Sequence, residues 1–262
     1  MTNSLRSGLL LVLLLAARAA CAASVQLEDL TWTELRDRIA AGSTTVLVPI
    51  GGTEQSGPHM ALGKHNVRVR VLAARIAERL GNALVAPVLA YVPEGSLEPP
   101  TEHMKWPGTI SVPPAVFEAT LEAATRSLRR AGFCQVVLLG DHGGYRASLD
   151  HVASRMNKFG GTCRVHALPE YYRAASTDFN QALAAQGHAA AEIGAHAGLA
   201  DTALMLAADP SLVRLDALAA PRAGDGVNGD PRRATAALGR PGLDHIVEAA
   251  VAAIRAAAPR KP

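Results

Sequence analysis

Five of the nine histidines, His59, His65, His103, His142 and His196, sit in turn-rich or glycine-flanked segments. Glu54, His59 and His65 fall within a single loop of twelve residues, 54–65. His142 follows a strand end in the run GDHGG at 140–144, where glycines let the backbone turn tightly beside a ligand. A carboxylate with imidazoles suits zinc, manganese or iron. Hydrogen-bonded loop histidines beside a structural acid use the same residue types, so composition leaves both readings open. His151 and His245 fall in helical segments, His166 in a strand and His188 near a helix, and these read as ordinary hydrogen-bonded or surface histidines.

The elements that must position these residues alternate. Residues 27–41 read as helical, with Thr31 as N-cap, Glu34 as its capping-box partner and Gly42 as the stop. A buried strand follows at 45–50, then a glycine-rich loop to residue 64, a helix at about 66–80 and an apolar strand at 83–92. After a long loop rich in Pro and Glu come a helix at 114–131, a strand at 134–139, a helix at 146–158 and a strand at 163–168. Near-continuous apolar strands separated by helices indicate an α/β fold, a mostly parallel sheet covered on both faces. The polar segments after the strands at 45–50 and 134–139 then meet at the carboxyl edge of the sheet, where ligands collect in such folds.

At the N-terminus Arg6 precedes an apolar run of ten residues, 8–17, and the small-residue stretch Ala20-Cys21-Ala22-Ala23. That order reads as a secretory signal peptide over residues 1–22, too short for the ~20 residues that span a bilayer. It leaves a single domain at 23–262 and places the protein in the periplasm or outside the cell. Losing Arg6 and Arg18 lowers the formal charge from +3 to +1, so no basic patch calls for a nucleic acid partner and no membrane association is expected after cleavage. Cys134 and Cys163 each open a strand; an oxidising compartment permits a bridge between them if those strands are neighbours, and two buried thiols are the alternative.

The run PIGGTEQSGPHMALG at 49–63 resembles the signature of the creatininase (creatinine amidohydrolase) family, roughly G-[ST]-x-E-Q-H-G-x-H-L-P-x-x-T-D. HMKWPGT at 103–109, GDHGG at 140–144, HAGLADT at 196–202 and GVNGDP at 226–231 with Ala234 and Thr235 also resemble that family, in order, over nearly the whole chain. The resemblance implies a three-layer α/β/α sandwich, a homo-oligomer and an amidohydrolase acting on a small molecule. In the family two metals share a bridging Asp; one is also held by the signature Glu and the G-H histidine, the other by the signature His and a later acid. Here the first pair matches as Glu54 and His142, and the bridging Asp falls on His65. The second-site His falls on Ser56 and its acid on Gly144, neither a usual ligand for a divalent transition metal.

The resemblance therefore implies one divalent ion per chain on Glu54, His65 and His142, zinc first, with manganese or iron as alternatives. Three protein ligands leave a position for a water whose pKa falls toward ~7. His196, matching a histidine near the family's active site, is the expected proton donor to the departing nitrogen. Asp201 matches a family Glu, and it is expected to orient a histidine or to support the ligands. His59 and His103 match positions near the substrate, where either can polarise a carbonyl. Trp106 sits where the family has an aromatic before Pro-Gly-Thr, and Tyr145 replaces an Asn that often ends G-H-G-G, so with His103 they are the substrate-contact candidates. Asp141 is expected only to cap the next helix.

The expected reaction is hydrolysis of a non-peptide C–N bond of a cyclic amide or formamide; the remodelled pocket argues against creatinine itself. An exported metal- or ligand-binding protein without turnover is the alternative. A two-His-one-carboxylate iron oxygenase shares the ligand types but not their usual spacing or an all-β pattern.

Overall fold

In a computed structural model of the chain, which describes residues 24–158 and 160–258, the Thr31 side chain accepts from the Glu34 amide, and the Glu34 carboxylate accepts from the Thr31 N–H at 2.7 Å. Helix α1 (Trp32–Ala40) starts on that capping box. Residues 27–29 form a separate 3-10 turn, because an N-cap must leave the helical region and Thr31 is extended (φ −68°, ψ 159°). The expected signal segment, 1–22, lies outside the described residues.

Four parallel strands, β1 (Thr45–Ile50), β2 (Ala83–Val85), β3 (Gln135–Gly140) and β4 (Arg164–Ala167), form a sheet in the order β2-β1-β3-β4. The intervening helices are α2 (Lys64–Leu80), α3 (Pro114–Ala131) and α4 (Arg146–Asn157). After β4 come α5 (Pro169–Arg173), a π-helical segment (Ala174–Asp178), α6 (Phe179–Ala185), α7 (Ala190–Ile193), α8 (Leu199–Ala208) and α9 (Ala236–Ala257). The strand expected at 83–92 ends at Val85, because Pro87 lacks an N–H for the ladder; pairing resumes only as an isolated bridge between Ile50 and Leu89. Pro49 sits in a central strand without cost for a related reason. Its carbonyl accepts from Leu89 N–H on the β2 side, so its missing N–H faces the edge where β2 has already ended.

Alternate residues of the strands feed two cores. Leu47, Val137 and Leu139 pack with Val69, Leu72 and Ile76 of α2 and with the later helices α5, α8 and α9. Val46, Val48, Val136 and Leu138 face Phe117 and Leu121 of α3 and Leu149 and Val152 of α4. The result is the three-layer α/β/α sandwich expected. Cys134 and Cys163, at the starts of the adjacent strands β3 and β4, are joined in a disulfide with Cα atoms 4.4 Å apart.

Three strand ends deliver chemistry to one edge. β1 runs into the loop bearing Glu54, the segment after β2 brings Glu94, and β3 passes directly into Asp141 and His142. Among the described residues no helix is long and apolar enough to cross a membrane.

Candidate metal centre

Glu54, Glu94, His103 and His142 each offer a ligand atom, and these atoms all lie within 4.8 Å of one another. His103 Nε2 is 3.0 Å and His142 Nε2 3.5 Å from Glu54 Oε2, and His142 Nδ1 is 3.4 Å from Glu94 Oε2. Both glutamates are buried, yet among the described residues Glu54 Oε2 and both Glu94 oxygens have no hydrogen-bond partner. Three orphaned carboxylate oxygens converging with two imidazoles are what a cation would satisfy, since leaving such groups bare is expensive. The residues present fit a divalent transition metal.

Local backbone is shaped to this end. Gly52 has φ +148°, and a Cβ there would sit 2.4 Å from Glu94 Oε1, so only glycine lets that carboxylate approach. The two non-glycine residues with positive φ among those described, Glu102 (46°) and Ala197 (54°), directly flank His103 and His196. Strain of this kind persists where surrounding structure over-determines it. The Gln55 side chain packs between the two histidines: its Nε2 lies 3.1 Å from His103 Nδ1 and from the Gly226 carbonyl, two acceptors for its two protons, and is also 3.1 Å from His196 Nε2, whose own acceptor is the Gln55 backbone carbonyl at 2.9 Å.

Burial sets the protonation states. It pushes His142 down to about 3 and His196 to about 4, with the Lys64 charge adding to the effect, and it lowers His103; all three are neutral imidazoles at neutral pH. Glu94 is pushed up to about 8, by burial first and then by the Glu54 charge. Burial would raise Glu54 as well, but the Lys64 charge and the His65 hydrogen bond hold it well below the carboxylate range.

The histidine expected as third ligand, His65, is placed beside the cluster with both ring nitrogens engaged: Nε2 2.8 Å from Glu54 Oε1 and Nδ1 2.6 Å from Asp141 Oδ2. Burial and Lys64 lower its pKa, but the Asp141 and Glu54 bonds outweigh them and raise it. Glu94 and His103 instead complete the four-residue set with Glu54 and His142. Glu94 carries the same signal as Glu54, an acid in a Pro/Gly-flanked loop after a strand. Asp141 does not cap α4, whose N-cap is Tyr145 without a side-chain bond. It is buried and binds His65, Arg68 and, through Oδ1, the Tyr171 hydroxyl at 2.7 Å.

A cavity of ≈350 Å³ opens beside the cluster, with His103, His142, His196, Asp201, Tyr172 and Asn180 among its lining residues. His59, Trp106 and Tyr145 are not among its lining residues. His59 is buried with Nε2 3.0 Å from Thr202 Oγ1. Trp106 donates Nε1–H to the Gly224 carbonyl at 3.0 Å. The Tyr145 hydroxyl is buried among backbone groups: it donates toward the carbonyls of Ile50 and Gly51 (2.8 and 2.7 Å) and accepts from the amides of Asp141 and His142 (3.1 Å each). It therefore fixes the turn that carries His142.

Fold and site define an α/β/α protein with a candidate metal centre at the carboxyl edge of a parallel sheet. The sequence profile of the creatininase family, described as creatinine amidohydrolase, matches residues 28–254, and the chain belongs to that family as an amidohydrolase. It is 33% identical over 200 residues to creatinine amidohydrolase of Pseudomonas putida, covering 74% of this chain and 75% of that one. It is 36% identical over 104 residues to the mycofactocin precursor peptide peptidase of Mycolicibacterium smegmatis, covering 38% and 39%. A crystal structure of creatininase superposes with TM-score 0.75 at 27% identity, covering 92% of this chain and all of that one. A manganese form matches at TM-score 0.72 and 28% identity, over 89% and 98% of the two chains.

Proposed function

We propose that the protein is an exported, metal-dependent amidohydrolase that cleaves a non-peptide C–N bond, of the cyclic amide or formamide type, using one divalent ion per chain. The observation that carries this reading is the convergence of the orphaned Glu54 and Glu94 oxygens with neutral His103 and His142. Zinc or manganese suits that donor set. When bound, such an ion supplies Lewis acidity toward a carbonyl oxygen and acidifies water.

The remaining work falls to the chain. His196 Nε2 lies 2.9 Å from the Gln55 backbone carbonyl, so that nitrogen carries the proton, and Nδ1, 3.7 Å from Glu54 Oε1, is the nitrogen that accepts one. With its pKa near 4, His196 begins neutral; it takes a proton from water and returns it to the departing nitrogen, acting as base and then acid. Asp201 Oδ2 accepts from the Ala197 amide at 3.2 Å and so holds the residue next to His196. The cavity of ≈350 Å³ lies at the small end of ligand pockets, which favours a small amide over a long peptide. The disulfide fits an oxidising compartment and hence the export implied by residues 1–22, and a homo-oligomer goes with the family resemblance.

The test is turnover of a panel of lactams, formamides and hydantoins by metal-loaded protein, with Glu94→Gln and His142→Ala alongside. Hydrolysis that both substitutions abolish supports the proposal. A saturated but inert protein points to a binding role, and oxygen consumption with iron to an oxygenase.

A further inference from the structure

His65, in the first turn of α2, lies between two buried carboxylates, with Nε2 2.8 Å from Glu54 Oε1 and Nδ1 2.6 Å from Asp141 Oδ2. Carboxylate oxygens only accept, so both ring nitrogens donate and neither keeps a lone pair for a metal ion. Arg68 Nη2 is also 3.3 Å from Nδ1, but its acceptor is Asp141 Oδ2 at 2.8 Å.

The far end of this chain of bonds is firmly held. Asp141 follows β3 directly and is gripped from two helices. Arg68 of α2 reaches Oδ2 through Nε as well, at 3.0 Å, and the Tyr171 hydroxyl of α5 donates to Oδ1 at 2.7 Å. At the near end Glu54 stands on the irregular loop after β1, so side-chain partners set the direction of its carboxylate. Lys64 Nζ is 3.3 Å from Oε1 but 2.5 Å from Asp201 Oδ2, which leaves His65 as the closer donor to Glu54. With Oε1 held, Oε2 is turned toward His103 Nε2 at 3.0 Å and His142 Nε2 at 3.5 Å. Glu94 has no such support, since neither of its oxygens has a hydrogen-bond partner among the described residues. Of the two candidate carboxylate ligands, one is oriented in advance and the other is not.

Resting on the metal site proposed above, we infer that His65 is a positioning residue: the chain Asp141–His65–Glu54 fixes one oxygen of Glu54 so that the other faces the ion, and His65 does not itself bind the ion. Outer hydrogen bonds that orient a ligating carboxylate are worth about 10–100-fold in metal affinity.

Electron paramagnetic resonance of Mn²⁺ added to the chelator-stripped full-length protein tests this, comparing wild type with His65→Gln and His65→Asn. The Gln amide nitrogen stands near the place of Nε2 and still donates to Glu54, whereas that of Asn stands near the place of Nδ1 and reaches only Asp141. His65→Asn should bind Mn²⁺ about 10–100-fold more weakly, and His65→Gln should recover most of that loss. Spin-echo modulation should report two coordinated imidazoles, His103 and His142, in wild type and in both variants. One imidazole fewer in the variants than in wild type would make His65 a ligand and overturn the inference. Unchanged affinity in His65→Asn, or equal weakening in both variants, overturns it too. Should His65→Asn fail to fold, wild type and His65→Gln still decide, because a Gln variant weakened by tenfold or more, or lacking one imidazole, contradicts the role. Wild type that binds no Mn²⁺ overturns the inference together with the metal site, whereas the other adverse results leave an ion bound and remove only the role of His65.

Discussion

Metal binding should expel a proton, and the site identifies its source. In the metal-free protein Glu94, pushed up to about 8 by burial and by the Glu54 charge, is almost wholly protonated at pH 6.5, whereas His142 at about 3 and the lowered His103 are already neutral. Glu54 is ionised. Of the four ligands only Glu94 has a proton to lose, so binding of Zn²⁺ or Mn²⁺ near pH 6.5 should release about one proton, and apparent affinity should rise about tenfold per pH unit until pH ~8. Calorimetric titration of chelator-stripped protein in buffers of different ionisation enthalpy counts that proton. Glu94→Gln should bind more weakly with release close to zero. Release of one proton by Glu94→Gln would point to His65, whose raised pKa also gives it a proton to lose, and would refute a ligand set of Glu54, Glu94, His103 and His142.

Without metal, protonated Glu94 gives the folded state one more bound proton than the unfolded chain between about pH 4.3 and 8; the stripped protein should therefore lose thermal stability as pH rises through that window, and Glu94→Gln should flatten the trend. Asp141 and Asp201 behave oppositely. Burial would raise them, but the charges of Arg68, and for Asp201 of Lys64 as well, hold them low, so the stability they contribute is present above about pH 4 and is lost on acidification below it. A denaturation series from pH 6 to pH 2.5 should show that fall, shallower in Asp201→Asn. Replacing Cys134 and Cys163 by Ser releases a loop of sequence separation 29, which costs about 3–4 kcal/mol and lowers the melting temperature by roughly 10 °C; an unchanged melting curve would contradict a formed bridge. Tyr145→Phe should cost about 2 kcal/mol in chemical denaturation, because buried backbone groups around the His142 turn lose their partner, and should also weaken metal binding.

Much of the scaffold is legible in the sequence, because its signals are local. The capping box at Thr31 and Glu34, the apolar runs of β1 and β3, and the glycines around Glu54 and His142 each act within a few residues. The limits of local reading show at Pro87, whose missing N–H ends β2 although the apolar pattern continues. They show again in the site. Lys64 and Arg68 lie in line with Leu72 and Ile76 on α2, at spacings of four, on the face that is buried. Charges on an apolar stripe can be seen in the sequence, but their carboxylate partners Asp201, Asp141 and Glu54 lie on other elements. Asp141 looks like a cap because it precedes α4, and only the packing of α2 and Tyr171 around it shows otherwise. Ligand choice is the least local feature, since Glu94 and His103 arrive on a long loop whose path no periodicity fixes.

The proposed chemistry turns on a divalent ion seated among Glu54, Glu94, His103 and His142. An anomalous-scattering map from crystals grown with Mn²⁺ or Zn²⁺ tests it most directly. One strong peak is expected about 2.0–2.2 Å from Glu54 Oε2 and from donor atoms of Glu94, His103 and His142, with His65 still bound to Asp141; a peak coordinated by His65 in place of Glu94 and His103, or no peak at this edge of the sheet, would contradict it.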